Sequence, residues 1–256
     1  MKILAVGDVV GKSGHQKLKE MLPKIIEENN IDFVIVNGEN AADGMGLTEK
    51  MYREMLSLKV NVVTMGNHTW GKKEIFNFID DKQIIRPANY PENNPGKGYN
   101  IYECKGKKIA VINLIGRTTM SVLSENPFLK AKEIIEKIKN TVDIIIVDFH
   151  AEATAEKIAM GYFLDGDITI LYGTHTHVQT ADEIILEKGT GYITDIGMTG
   201  PKKSVIGMDV DVSIKRFVTC LPEKYKTAEG KSKLDACIFE VDDETNKVKS
   251  ICRINK

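Results

Sequence analysis

Cysteine is scarce and scattered: four residues, Cys104, Cys220, Cys237 and Cys252, with no CxxC pair among them. That spacing excludes a zinc–thiolate knuckle and a disulfide framework, and it suits the reduced structural thiols of a cytoplasmic protein. Long apolar runs are missing as well. Runs such as Ile144–Val147 fall far short of the ~18–20 residues that span a bilayer, and the opening MKILAVGDVVGKSG passes into glycine and charge, not into a signal-peptide pattern. Charge of one sign is also absent. With 35 Lys+Arg against 36 Asp+Glu and a formal net charge of −1, no basic field is available to hold a nucleic-acid backbone non-specifically. What remains is a chain of 256 residues, long enough to bury a core without staples and read as one domain over 1–256.

The first two-thirds alternate β-branched runs with helical patterns, the signature of βαβ units and a mainly parallel sheet. Strands are expected at Lys2–Val6, Phe33–Val36, Val62–Met65, Lys108–Leu114, Asp143–Val147 and Ile168–Leu171. Helices are expected at Leu18–Glu28, Thr48–Leu58, Lys72–Asp80, Pro127–Asn140 and Thr154–Gly161, with Thr48 as an N-cap. The segment Arg86–Asn100, RPANYPENNPGKGYN, concentrates proline, glycine and asparagine and reads as a loop. The C-terminal KLDACIFEVDDETNKVKSICRI reads as a hairpin adding antiparallel strands, whose edge leaves self-association into a homo-oligomer open.

Gly7 to Ser13 sits between a strand and a helix and invites a phosphate-binding-loop reading, with Lys12 on phosphate and Ser13 on magnesium. The motif is one residue short. A Walker loop needs four residues between its first Gly and the Gly-Lys pair so that successive N–H groups wrap the phosphates, and here there are three. Asp8 is the more telling residue, a carboxylate just past the first strand.

It is not alone in that position. ILAVGD delivers Asp8, FVIVNGEN delivers Glu39 and Asn40, VVTMGNH delivers Asn67 and His68, IIIVDFH delivers His150, and ITILYGTHTH delivers His175 and His177. The carboxyl ends of parallel strands in an α/β sheet converge on one crevice, so residues from Asp8 to His177 become candidates for one site. Two carboxylates, two amides and three imidazoles form a mixed N/O donor set without thiolate, suited to Mn, Fe or Zn. Seven donors exceed one tetrahedral ion and fit two ions about 3.5–4 Å apart with a bridging carboxylate. His68, beside Asn67, is free to face a substrate and donate a proton to a leaving oxygen. His15, in a polar helix start, reads as a surface histidine. Arg117, Asn89 and Tyr90 are candidates for phosphate or base contacts, and Trp70 either stacks on a base or anchors its loop.

Read as blocks, GD, GEN, GNH, a lone His and GTHTH resemble the calcineurin-like metallophosphoesterases. That superfamily usually carries Asp-x-His first, where this chain has Val10, and Asp second, where it has Glu39 followed by Asn40. Those departures, with NGENAADGMGLT, TMGNHTWG, RPANYP, VDFHAEATAEK, GTHTHVQTADE and ITDIGMTGP, are similar to the bacterial YmdB-type branch over nearly the whole chain. The resemblance implies an α/β fold, a four-layer αββα sandwich of two mixed sheets flanked by helices. It implies a dinuclear iron or manganese centre and phosphodiesterase activity on cyclic nucleotides, notably 2′,3′-cyclic ones. By position, Asp8, Glu39, Asn40 and His177 then hold one metal with Glu39 bridging; Asn67, His150 and His175 complete the second, and His68 is the proton donor. The competing class is a regulatory metal-binding protein whose hydrolysis is incidental; the intact His68 speaks against lost catalysis.

Overall fold

The computed structural model describes residues 1–256. The chain begins with β1 (Lys2–Val6), β2 (Asp8–Val9), α1 (Gly11–Asn29), β3 (Phe33–Asn37), α2 (Glu49–Ser57), β4 (Val62–Thr64), a 3-10 turn (Lys73–Asn77) and β5 (Ile84–Ile85). It continues through β6 (Tyr99–Cys104), β7 (Lys107–Ile115), α3 (Pro127–Ile138), β8 (Ile144–His150), α4 (Thr154–Leu164) and β9 (Ile170–Thr174). The last third holds β10 (Ile184–Ile185), β11 (Gly191–Ile193), β12 (Met198–Pro201), α5 (Val210–Thr219), β13 (Ser232–Val241) and β14 (Val248–Asn255).

These strands form two mixed sheets. The first runs β2-β12-β13-β1-β3-β4-β5, with β14 paired to β13; the second runs β10-β11-β9-β8-β7-β6. Period-2 alternation sorts the side chains into layers. On β8, Ile144 and Ile146 point between the sheets, where they meet Ile3, Ala5, Ile35 and Phe239; Ile145, Val147 and Phe149 point the other way, onto α3 and α4. On β1, Leu4 and Val6 cover α1 through Leu18, Leu22 and Ile25. Helix, sheet, sheet and helix therefore make four layers around three apolar interfaces. Strands buried on both faces need the near-continuous Val/Ile runs seen at 33–36 and 144–147.

Several expectations shift. α1 begins at Gly11, seven residues before the expected start, and absorbs the Lys12-Ser13 segment into its first turn. The amides of Val10 and Gly11 are spent on the carbonyls of Thr199 and Asn40, so no N–H cradle for phosphate exists there. The expected Lys72–Asp80 helix is only a 3-10 turn, with Ile75, Phe78 and Ile79 buried in the first core. Thr48 caps α2 as expected, its hydroxyl accepting from Met51 N at 3.3 Å. β8 extends three residues beyond its expected end and finishes on His150. β13 lies inside the first sheet, between β12 and β1, with the hairpin partner β14 antiparallel to it. No helix is long and apolar enough to cross a membrane.

Candidate metal centre

Strand ends bring the seven candidate ligands together. Asp8 follows β1, Glu39 and Asn40 follow β3, and Asn67 and His68 follow β4, three strands parallel and neighbouring in the first sheet. His150 ends β8 and His175 and His177 follow β9, parallel neighbours in the second. The expected single crevice is thus a seam where the carboxyl edges of two sheets meet.

His150 Nε2 is the focus of one lobe. It lies 3.1 Å from Glu39 Oε1, 2.9 Å from Asn67 Oδ1 and 3.0 Å from His175 Nδ1. Donor atoms of Glu39, His150 and His175 all fall within 4.8 Å of one another. The second lobe gathers Asp8, Asn40 and His177: His177 Nε2 is 3.6 Å from Asp8 Oδ1 and 3.2 Å from Asn40 Nδ2, which also donates to Glu39 Oε1 at 3.1 Å. Asp8 Oδ1 is buried with no hydrogen-bond partner. An orphaned carboxylate oxygen and crowded lone pairs are costly unless a cation lies among them, so the donor set fits transition-metal ions.

The electrostatics agree. Asp8 and Glu39 are both fully buried, and their only ion-pair partners are imidazoles. Burial alone raises a carboxyl pKa, yet the histidines outweigh it, taking Glu39 down to about 2 and Asp8 lower still. His150 moves the opposite way: burial disfavours its charge, but Glu39 and Asp8 bring it up to about 9. Burial and the neighbouring His150 push His175 down to about 3. Burial likewise disfavours charge on His177, but Asp8 outweighs it and raises that imidazole, so each buried carboxylate draws positive charge toward itself.

Residues that sequence reading passed over hold the ligands in place. Thr174 Oγ1 accepts from His150 Nδ1 at 2.9 Å and donates to Asp148 at 2.7 Å, and Thr64 donates to the other Asp148 oxygen at 2.5 Å. Such a chain fixes the ring so that Nε2 faces the centre. The only sequence signal for it is the two-residue spacing of Asp148 and His150, which puts both on one face of β8. Glu152 Oε2 lies 3.1 Å from His175 Nε2, leaving Nδ1 to face His150. The His175-Thr176-His177 turn is strained, with φ of +98° at His175 and +64° at His177, and such residues persist only where surroundings over-determine them. Asp195 supplies that restraint. Its Oδ2 accepts from Thr176 N at 3.1 Å, Thr176 Oγ1 at 2.8 Å and the buried Lys157 Nζ at 2.7 Å. No sequence pattern announces the Lys157–Asp195 pair.

Among the glycines beside the ligands, Gly66 leaves room for the centre, because a Cβ there would run into the Glu39 carboxylate and the His150 ring; at Gly7 and Gly173 it would run into the carbonyls of Gly197 and Thr194, and at Gly38 into Val63. Asn89 and Tyr90 are not free for substrate. Asn89 is fully buried and spends its amide on Ile115 and Glu125, and the Tyr90 hydroxyl donates to Gly66 O at 3.1 Å. The Arg86–Asn100 segment is therefore a buttress under the Asn67-His68 turn, tied by the Arg86 guanidinium to three of its own carbonyls. Trp70 stacks on Phe76 with centroids 5.4 Å apart and tilts onto Tyr90, anchoring the same turn. His15 is buried, 2.7 Å from Glu54, and is not the surface histidine expected. Arg117 is exposed next to Gly116, whose N–H donates to His150 O, and forms no ion pair.

A family model described as YmdB-like protein matches residues 4–254. The chain belongs to the YmdB-like family. It is 52% identical over 255 residues to the 2′,3′-cyclic-nucleotide 2′-phosphodiesterase of Bacillus subtilis (strain 168), covering 99% of this chain and 96% of that protein. Among solved structures, one described as a novel phosphatase, from Mycoplasma pneumoniae, superposes with a TM-score of 0.95 at 39% identity, over 100% of this chain and 93% of that one. A hypothetical protein from Thermus thermophilus does so with a TM-score of 0.95 at 37% identity, over 100% and 99%. The YmdB-like assignment carries the metallophosphoesterase sandwich with it, and with that fold the expectation of divalent metal ions at the Glu39–His150–His175 cluster.

Proposed function

We propose that the chain is a metal-dependent phosphodiesterase that hydrolyses cyclic nucleotides, 2′,3′-cyclic nucleoside monophosphates foremost. The observation that carries this is the convergence of Asp8, Glu39, Asn40, Asn67, His150, His175 and His177 at the seam of two sheets, with His68 on its rim. Asp8, Glu39, Asn40 and His177 would hold one ion, Glu39 would bridge, and Asn67, His150 and His175 would hold the other; iron or manganese suits that donor set. When bound, the two ions neutralise charge on the phosphoryl oxygens and make a water nucleophile available at neutral pH.

The chain's own groups do the rest. Glu39 receives His68 N at 2.9 Å and so ties the acid to the bridging carboxylate. His68 Nδ1 lies 2.7 Å from the Asn40 amide oxygen. An amide oxygen only accepts, so Nδ1 carries its N–H there, and the protonated ring holds its transferable proton on Nε2. From there His68 protonates the ribose O2′ as the P–O2′ bond breaks, leaving a 3′-phosphomonoester. Arg117, unpaired on the rim, offers its guanidinium to a phosphate oxygen.

Metal analysis of the purified protein beside a panel of 2′,3′-cyclic, 3′,5′-cyclic and linear dinucleotides tests the class. His68→Ala should keep its metal and lose about 10²–10⁴-fold in kcat. Undiminished turnover in that variant would remove His68 from the acid role, and metal-reconstituted protein inert on every substrate would sink the reading.

A further inference from the structure

The metal seam accounts for a phosphate but not for a nucleoside, and beside it lies an apolar shelf with no partner in the fold. It is a cavity of about 140 Å³ lined by Ile206, Met208, Val212, Arg216, Phe217 and Tyr225. One wall touches a candidate ligand and the other lies one residue contact away. Ile206 O accepts from His177 Nδ1 at 2.7 Å, and Tyr225 packs against Gly44, whose N–H donates to Asn40 O at 3.0 Å. Burial and then the Glu39 carboxylate raise the Tyr225 phenol, so the ring stands within electrostatic reach of the centre.

The shelf is built for a flat apolar surface. Tyr225 is 43% exposed, Ile206 48% and Phe217 77%, and α5 above them buries only Ser213. Its backbone is held with effort: Ile206, β-branched, sits at φ +47°, a conformation such residues rarely adopt. The Ser204 hydroxyl accepts from Gly207 N at 3.0 Å and helps keep the turn. The volume falls below the ~300–1,000 Å³ that whole drug-sized ligands occupy, so it admits one ring system while the rest of the molecule lies elsewhere. An aromatic face beside a phosphate site matches the two ends of a nucleotide, since every base has a π-face to stack. Arg216 forms no ion pair and offers N–H donors at the shelf's edge, where base carbonyls and ring nitrogens accept.

We propose that this shelf is the nucleobase subsite of the centre, with Tyr225 as the stacking platform and Arg216 as donor to the base edge. The proposal rests on the phosphodiesterase reading, and the two can be tested apart. The metal-loaded full chain is assayed on 2′,3′-cyclic AMP and on the base-free methyl riboside 2′,3′-cyclic phosphate. In the unaltered protein, KM for the nucleotide should be about tenfold lower or more, the effect of one stacked base. Tyr225→Ala should bring the ratio of the two KM values close to one, and Tyr225→Phe should preserve it. Equal KM values in the unaltered protein, or an unchanged ratio in Tyr225→Ala, overturn the subsite while leaving the phosphodiesterase standing. Failure to hydrolyse either compound overturns the phosphodiesterase reading and the subsite with it.

Discussion

Replacing Asp195 by Asn separates two jobs of one carboxylate. The substitution is nearly isosteric but removes the counter-charge of Lys157, which is wholly buried and 2.7 Å away. An uncompensated buried charge costs about 3–5 kcal/mol, which for a chain of this size lowers Tm by about 6–20 °C. The second job concerns geometry. Both Thr176 donors converge on the same oxygen, and without it little opposes relaxation of the two positive-φ histidines, each of which stores about 1–3 kcal/mol. Metal affinity should then fall about 10–100-fold, as for other groups that orient ligands. The double variant Lys157→Met/Asp195→Asn distinguishes the jobs. Removing the orphan charge should restore much of the lost Tm, whereas metal retention, measured by equilibrium dialysis and elemental analysis, should stay low. A single variant that melts like the parent, or a double variant that recovers full metal affinity, refutes the argument.

Gly66→Ala places a methyl between the Glu39 carboxylate and the His150 ring. Overpacking of about 1–3 kcal/mol should weaken metal binding by roughly 5–150-fold, visible in metal titration with little change in far-UV circular dichroism. Stripping the metal-loaded protein with a chelator should lower Tm by about 5–11 °C, the loss of about 2.7 kcal/mol expected when free metal stood at 100 times Kd. Manganese should restore it; an unchanged melting curve would contradict a buried carboxylate pair that needs cations.

The order of the ligand blocks and the strand ends that carry them were legible because both are local. Asp8, Glu39, Asn67, His150 and His175 each follow an apolar run, and period-2 or 3.6 patterning locates such runs without reference to the rest of the chain. The same locality explains the errors. His15 looked like surface because its partner Glu54 is 39 residues away, and Asn89 and Tyr90 looked available because their acceptors lie on other segments. The Lys12-Ser13 motif already fails on spacing, but that the amides before it bond to Thr199 and Asn40 is a long-range fact no local pattern carries.

Sequence alone, then, determined the chemistry: two carboxylates, two amides and histidines without thiolate, placed where strands end, which limits the ion and the reaction class. Tertiary structure decided how that chemistry is held. Two sheets, not one, supply the ligands, so the centre exists only when β4 and β8 face each other and His150 Nε2 meets Asn67. The Asp148–Thr174 chain, the Lys157–Asp195 clamp on a strained turn and the shelf at Tyr225 all join residues distant in the chain. Their partners are selected by packing and by the need to pair every buried charge, and neither leaves a periodic trace in the order of amino acids.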